Sequence, residues 1–208
     1  MTKLASTALT SLYFTAAANA GLITGITVES SSAADLPAVD AVNGSGLPSD
    51  VPALSGTHGN TFEDHFLGIG STVANEDVEL IIDLGTTTTV GSISVWNFNE
   101  GGTDINTGQL LTGRGAKNVT ISSSLDNASY TLVGTFEFAQ ATGLADYAGF
   151  QIPVSVASAR YIKFEMADNH GNDFGIGLAE VQFDSVPEPG TLALLGLGGL
   201  MIARRRIA

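Results

Sequence analysis

Residues 21–186 predict an all-β sandwich, and three observations carry the prediction. The segment is a succession of short β-branched and aromatic runs separated by Gly, Asn, Asp, Thr and Ser. No run sustains an apolar period of 3.6 residues, so helices are not its main element. Its length, about 166 residues, suits one domain that can bury a sizeable core. The runs are Ile23–Val28, carried by Ile23, Ile26 and Val28; Val78–Leu84, with Ile81 and Ile82; Ser92–Phe98, with Ile93, Val95 and Trp96; and Lys117–Ser123, with Val119, Thr120 and Ile121. Then come Thr131–Phe138, with Val133 and Phe136; Phe150–Val154, with Ile152; Tyr161–Met166, with Ile162 and Phe164; and Leu178–Phe183, with Val181. Eight strands fit an antiparallel two-sheet sandwich. Val119 and Ile121 face one way while Asn118, Thr120 and Ser122 face the other, as a half-buried strand requires. Residues 33–75 show little strand character, and a loop that long is usually functional or ordered by something bound to it. No internal repeat is evident, and the Asn-x-Ser/Thr sequences at Asn43, Asn118 and Asn127 read as accidental.

The two ends of the chain read differently. Lys3, the weakly apolar stretch Leu4–Ala18 and the small-x-small ending Ala18-Asn19-Ala20 form a secretion signal, with a mature start near Gly21. At the other end Pro187 and Pro189 break regular structure. Thr191–Ala203 is then almost purely apolar, about 20 Å if helical at ~1.5 Å per residue, and Arg204-Arg205-Arg206 follows. That is shorter than a comfortable membrane span, and the arginines hold to the cytoplasmic side, so a short transmembrane helix acting as a temporary inner-membrane anchor is expected. The order Pro187-Glu188-Pro189, short apolar helix, arginine cluster resembles the PEP-CTERM sorting signal of Gram-negative bacteria. The resemblance implies an exosortase that recognises Pro187-Glu188-Pro189 and removes the tail, delivery to the outer surface or extracellular matrix, and company with exopolysaccharide and biofilm. A plain anchoring tail is the alternative. The expected organisation is residues 1–20 signal, 21–186 domain, 187–208 sorting tail.

Within residues 21–186 the basic residues are Arg114, Lys117, Arg160 and Lys163, against twenty acidic ones, which leaves a net charge of −16. Such a field repels nucleic acid and anionic lipid and favours solubility and divalent cations. The chain has no cysteine, which excludes disulfides, thiolate metal sites and a cysteine nucleophile.

Six islands carry a second resemblance: Ala41–Leu47, Leu80–Gly85, Ile93–Asn99, Arg114–Ser122, Ala159–Phe164 and Gly177–Phe183. In order and spacing they look like a discoidin, or coagulation-factor C-type, domain of the galactose-binding-like jelly rolls, over roughly Gly25 to Asp184. The family implies an eight-stranded antiparallel jelly roll whose loops at one end bind glycans or other surface ligands above a structural calcium. By that pattern Glu180 is a side-chain ligand and Ala179 a carbonyl ligand, completed around Asp40, Asn43 and Ser45. The loop usually offers Asp where this chain has Asn43, which removes a charge and weakens affinity. A loop held by hydrogen bonds without metal is the alternative.

Sugar recognition needs an aromatic plane and a few fixed donors and acceptors. His58 and Asn60 lie on the long loop, Trp96, Asn97 and Asn99 near a strand end, and Arg114 after the Gly-rich insertion Glu100–Gly113. Sugar-binding relatives use a loop histidine and residues near these strand ends, so His58, Asn97, Asn99 and Arg114 are the expected contacts, with Trp96 read as core. Arg160 and Lys163 read as surface or salt-bridge residues, Asp168–Asp173 as a solvated turn, and Phe62-Glu63-Asp64-His65 as exposed. No Gly-x-Ser-x-Gly elbow, His-Glu-x-x-His, phosphate loop or recognisable carboxylate pair occurs. The expected function is therefore a noncatalytic, exported carbohydrate-binding domain. The alternatives are a matrix or adhesion protein with protein partners and no sugar site, and, more remotely, a polysaccharide hydrolase.

Overall fold

Nine strands, with no α-helix among the described residues, make up the computed structural model, which describes residues 21–48, 54–69 and 77–186. The expected cleavage site at Ala18 and Ala20, the motif Pro187, Glu188 and Pro189, and the apolar run with its arginines lie outside the described residues. The strands are β1 (Gly21–Leu22), β2 (Thr27–Ser31), β3 (Ala34–Leu36), β4 (Phe66–Gly68), β5 (Val78–Asn97), β6 (Asn118–Ser124), β7 (Thr131–Glu137), β8 (Phe150–Met166) and β9 (Ile176–Ser185). Every pairing between them is antiparallel.

The all-β sandwich holds, with a difference in how its strands are counted. The runs at Val78–Leu84 and Ser92–Phe98 are one strand, β5, and those at Phe150–Val154 and Tyr161–Met166 are one strand, β8. The β-branched Thr86–Thr89 carries β5 onward, and register shifts between Asp83 and Ser92 bend it from one layer into the other. Gly85, at φ +79°, makes the bend, a conformation glycine adopts without steric cost. Arg160 on β8 clamps this corner: its Nε donates to Asp83 Oδ1 at 3.1 Å and its Nη2 to Oδ2 at 3.0 Å. These bonds hold the Asp83 carboxyl below its usual range.

One layer thus contains β2, the first half of β5, the second half of β8, β6 and β7. The other contains β1, β3, β4, β9, the second half of β5 and the first half of β8. Leu80, Ile82, Ile93, Val119, Phe164 and Phe183 belong to one apolar core between the layers. Burial of each such side chain stabilises the fold by about 1.5–3 kcal/mol.

β9 is buried from Ile176 to Phe183 on both of its faces, and Gly44, Leu47 and Leu54 lie against the side turned away from the core. Trp96 belongs to that covered side. It is 2 % exposed, packs with Leu47 and Ala179 outside the main core, and donates its indole N–H to Gly56 O at 3.2 Å. Residues Ala20–Val186 form one compact unit that contains the core and its satellites, so this unit can fold alone.

Candidate functional site

At the end of β5 the chain leaves the sheet into Gly-rich loops that have few side chains to satisfy their own backbone. Buried amides do it instead. Asn97 is fully buried; its Nδ2 donates to Ala116 O at 2.8 Å and Ala139 O at 2.9 Å, and its Oδ1 accepts the Phe98 N–H at 2.9 Å. Asn99, also fully buried, donates to Gly59 O at 3.0 Å and Leu144 O at 2.7 Å and accepts the Gly143 N–H at 2.8 Å. One side chain therefore joins three loops.

Arg114 is 7 % exposed and does similar work in the insertion that precedes it. Its Nη1 meets Glu100 at 3.2 Å, its Nη2 meets Asp104 at 3.3 Å, and its guanidinium lies 5.2 Å from the Phe174 ring centre. His58 is fully buried, with Nδ1 2.8 Å from Gly59 O. Its ring occupies the space beside Gly46, where an added Cβ would lie 2.3 Å from the imidazole. These burials correct the expected roles. His58, Asn97, Asn99 and Arg114 are gathered at one end, but in this conformation they hold loops and do not face solvent. Ile105, Leu110 and Leu144 are exposed on the same loops, and Asn60, Tyr147 and Phe174 are half-exposed.

Beside His58 the structure brings together the residues expected at a calcium. Glu180 is fully buried, and its Oε2 accepts the Gly44 N–H at 3.0 Å while its Oε1 accepts from Gln182 at 3.2 Å. Asn43 donates to Asp40 Oδ1 at 2.9 Å and accepts the Ser45 N–H at 2.7 Å. Both Glu180 partners are neutral, so burial pushes its carboxyl up to about 8; burial also raises Asp40. Among the described residues no three His, Cys, Asp or Glu side chains converge on one point. An ion here would rest on Glu180 and Asp40 plus amide, hydroxyl and carbonyl oxygens. The buried Ser45 Oγ meets no hydrogen-bond partner among the described residues, Asn43 supplies an amide oxygen, and Ala179 on β9 is fully buried. An all-oxygen, charge-poor set of this kind fits calcium.

His65 departs from its expected role, whereas Arg160 and Lys163 keep theirs. His65, read as part of an exposed acidic loop, is fully buried 5.1 Å from the His58 ring and 4.7 Å from Phe98; burial, then His58, lowers it to about 4. The turn Asp168–Asp173 is stitched internally: Asn169 donates to Asn172 O and Gly175 O and accepts from Gly171 and Asn172. Arg160 and Lys163 do form ion pairs, with Asp83 and with Glu79 and Glu165. Gln182, Glu100 and Asp104 were not singled out in sequence, and only their pairing in space marks them.

No curated protein matches the chain in sequence. Residues 185–207 match the family described as the PEP-CTERM protein-sorting motif. Among solved structures, the chain is similar to the third family 32 carbohydrate-binding module of a family 31 glycoside hydrolase from Clostridium perfringens, at 16 % identity and TM-score 0.55, covering 80 % of this chain and 94 % of that one. It is similar to the family 32 module of NanJ from the same organism, solved with galactose, at 17 % identity and TM-score 0.52, covering 78 % and 96 %. A third family 32 module from that organism, solved with GalNAc-β-1,3-galactose, has 10 % identity and TM-score 0.54, covering 77 % and 96 %. The chain thus carries a PEP-CTERM sorting motif behind a β-sandwich with the galactose-binding-like fold of the family 32 carbohydrate-binding modules.

Proposed function

We propose that this is an exported, noncatalytic carbohydrate-binding protein whose loop end engages an exopolysaccharide or matrix glycan, and whose tail passes through the inner membrane for exosortase sorting to the cell surface. One observation carries the reading: the domain follows family 32 modules over nearly their whole length, two of them solved with galactose-containing sugars. The sorting motif supports the export step. Glu180, Asp40, Asn43, Ser45 and the Ala179 carbonyl hold a calcium ion under the loops. The ion supplies the positive charge that the buried Glu180 carboxylate lacks. His58, Asn97, Asn99 and Arg114 serve the site from beneath by holding its loops, and the half-buried Asn60 faces the sugar.

The test is a glycan array probed with residues 21–186, once with calcium and once with chelator. Binding that falls at least tenfold in Arg114→Ala, whose loops lose their central cation, supports the lectin-like reading. Silence across the array with normal melting supports the matrix or adhesion reading. That second reading has its own observation, the burial of all four side chains expected to touch hydroxyls.

A further inference from the structure

Asn43-Gly44 is the only Asn-Gly pair in the chain. It follows the short 3-10 helix Ala38–Ala41, and Gly44 sits there at φ +81°, which glycine adopts without steric cost. Asn43 is exposed and Gly44 is buried, so water reaches the side-chain amide but not the main chain behind it. With no Cβ on Gly44, nothing on that residue shields its main-chain nitrogen. That nitrogen is the atom able to close a succinimide ring on the Asn43 side-chain carbon Cγ.

Each atom that such a closure uses is held by a hydrogen bond. Asn43 Oδ1 accepts the Ser45 N–H at 2.7 Å, which folds the side chain back over the Asn43–Gly44 peptide and polarises its carbonyl. Asn43 Nδ2, the leaving group, donates to Asp40 Oδ1 at 2.9 Å. The Gly44 N–H, the nucleophile, donates to Glu180 Oε2 at 3.0 Å. A main-chain amide is a poor nucleophile until its proton is taken, and a carboxylate within hydrogen-bond reach of that proton is placed as its general base. Gln182 fixes the other oxygen of this carboxyl by donating to Oε1 at 3.2 Å. Glu180 lies 136 residues from Gly44 along the chain, so the base meets this peptide only in the folded domain.

We propose that Asn43 is a self-modifying residue, which the folded domain converts to an acidic one by deamidation with Glu180 as the base. Gly44 N attacks Asn43 Cγ as Glu180 takes its proton. The N–Cγ bond forms, the Cγ–Nδ2 bond breaks, and the nitrogen leaves as ammonia, carrying the proton that Glu180 returns. Water then opens the succinimide at either carbonyl and leaves aspartate or isoaspartate at position 43. Water is consumed and ammonia released, with no change of oxidation state. The product sets a new carboxylate beside Asp40 and Glu180. Its effect on an ion rests on the calcium proposed above: a further charged oxygen donor tightens an all-oxygen site. The deamidation itself uses no metal.

Peptide mapping by mass spectrometry tests the chemistry on residues 21–186, incubated at neutral pH with chelator in water labelled with heavy oxygen. The expected result is loss of the Asn43 amide with uptake of one heavy oxygen, at least about tenfold faster in the folded domain than in the same chain unfolded in urea. Glu180→Gln keeps an acceptor for the Gly44 N–H but removes the base, and should bring the folded rate down to that in urea. A folded rate no faster than the rate in urea overturns the proposal, and this comparison needs no variant. So does a folded Glu180→Gln domain that deamidates as fast as the unsubstituted one. Calcium titration of Asn43→Asp, the product form, should show binding at least about tenfold tighter than that of the unmodified domain. If neither form binds calcium, the proposed ion is lost while the mass measurement still decides the deamidation, so the two readings fail separately.

Discussion

The two flanks of this sandwich handle their polar groups in opposite ways. On the β9 flank, Gly44, Leu47 and Leu54 lie against the sheet, and Asn97, Asn99, Glu180 and Gln182 are buried and bonded mostly to backbone. On the β7 flank no further strand pairs with the edge among the described residues, and Thr131, Leu132, Thr135 and Glu137 are exposed. A buried polar side chain costs free energy unless its bonds are made, so each one on the covered flank locks a loop in place. The open flank carries no such constraint.

The largest expected effect breaks the covered flank at its joint. Asn99→Ala leaves Gly59 O, Leu144 O and the Gly143 N–H without their partner. At roughly 1–3 kcal/mol for each stranded group the loss is about 3–9 kcal/mol, read as a lowered midpoint in urea unfolding. If the midpoint hardly moves, these loops are not held by the amide.

Glu180 comes next and sets the pH dependence of the same flank. Its folded pKa of about 8 lies above its ordinary value of 4.5, so the folded state holds the proton more tightly. Stability is fully present below pH 4.5 and falls as pH rises through 8, by on the order of 4 kcal/mol. A calcium ion bound as proposed would compete with that proton. Thermal melting at pH 8 should therefore gain more from calcium than melting at pH 5, and Glu180→Gln should remove both the alkaline loss and the calcium gain. An equal calcium effect at the two pH values would sink the assignment.

His65 works in the other direction. Its folded pKa of about 4 lies below the ordinary 6.5, so the unfolded state binds the proton more tightly. Stability is lost as pH falls from 6.5 to 4, reaching about 3 kcal/mol. His65→Phe should flatten the acid side of a melting-versus-pH curve, and a slope that persists would place the titration on another group.

Most strands were legible because β-branched runs alternate with turn residues, as around Val119 and Ile121. The continuity of β5 was not legible, because the stretch from Gly85 to Thr89 has the composition of a turn, and only the register shifts and the Arg160–Asp83 clamp show that the strand bends through it. β3 and β4, at three residues each, are too short to show a period. That Glu180 lies against the loop of Asp40 to Ser45 was expected only through the resemblance to a known family. The burial of His58 and Asn99 was not, since a polar residue amid glycines has the same sequence appearance whether it faces water or ties a loop down. Gly46, which could not carry a Cβ against the His58 ring, is the one local sign, and it becomes visible only in three dimensions.

The smallest expected effect sharpens the contrast from the open flank. Leu132→Ser removes an apolar side chain that is already 63 % exposed, from a strand with no outer neighbour in the sheet among the described residues. Little buried area is lost and no polar group is stranded, so the stability of dilute protein should stay within about 0.5 kcal/mol of the unsubstituted chain. A serine in the core, at Ile121 on β6, would cost several times as much. Urea unfolding of the two variants at low concentration measures the difference. A large loss for Leu132→Ser would mean that the β7 edge is already covered in solution, and the two flanks would then differ only in what covers them.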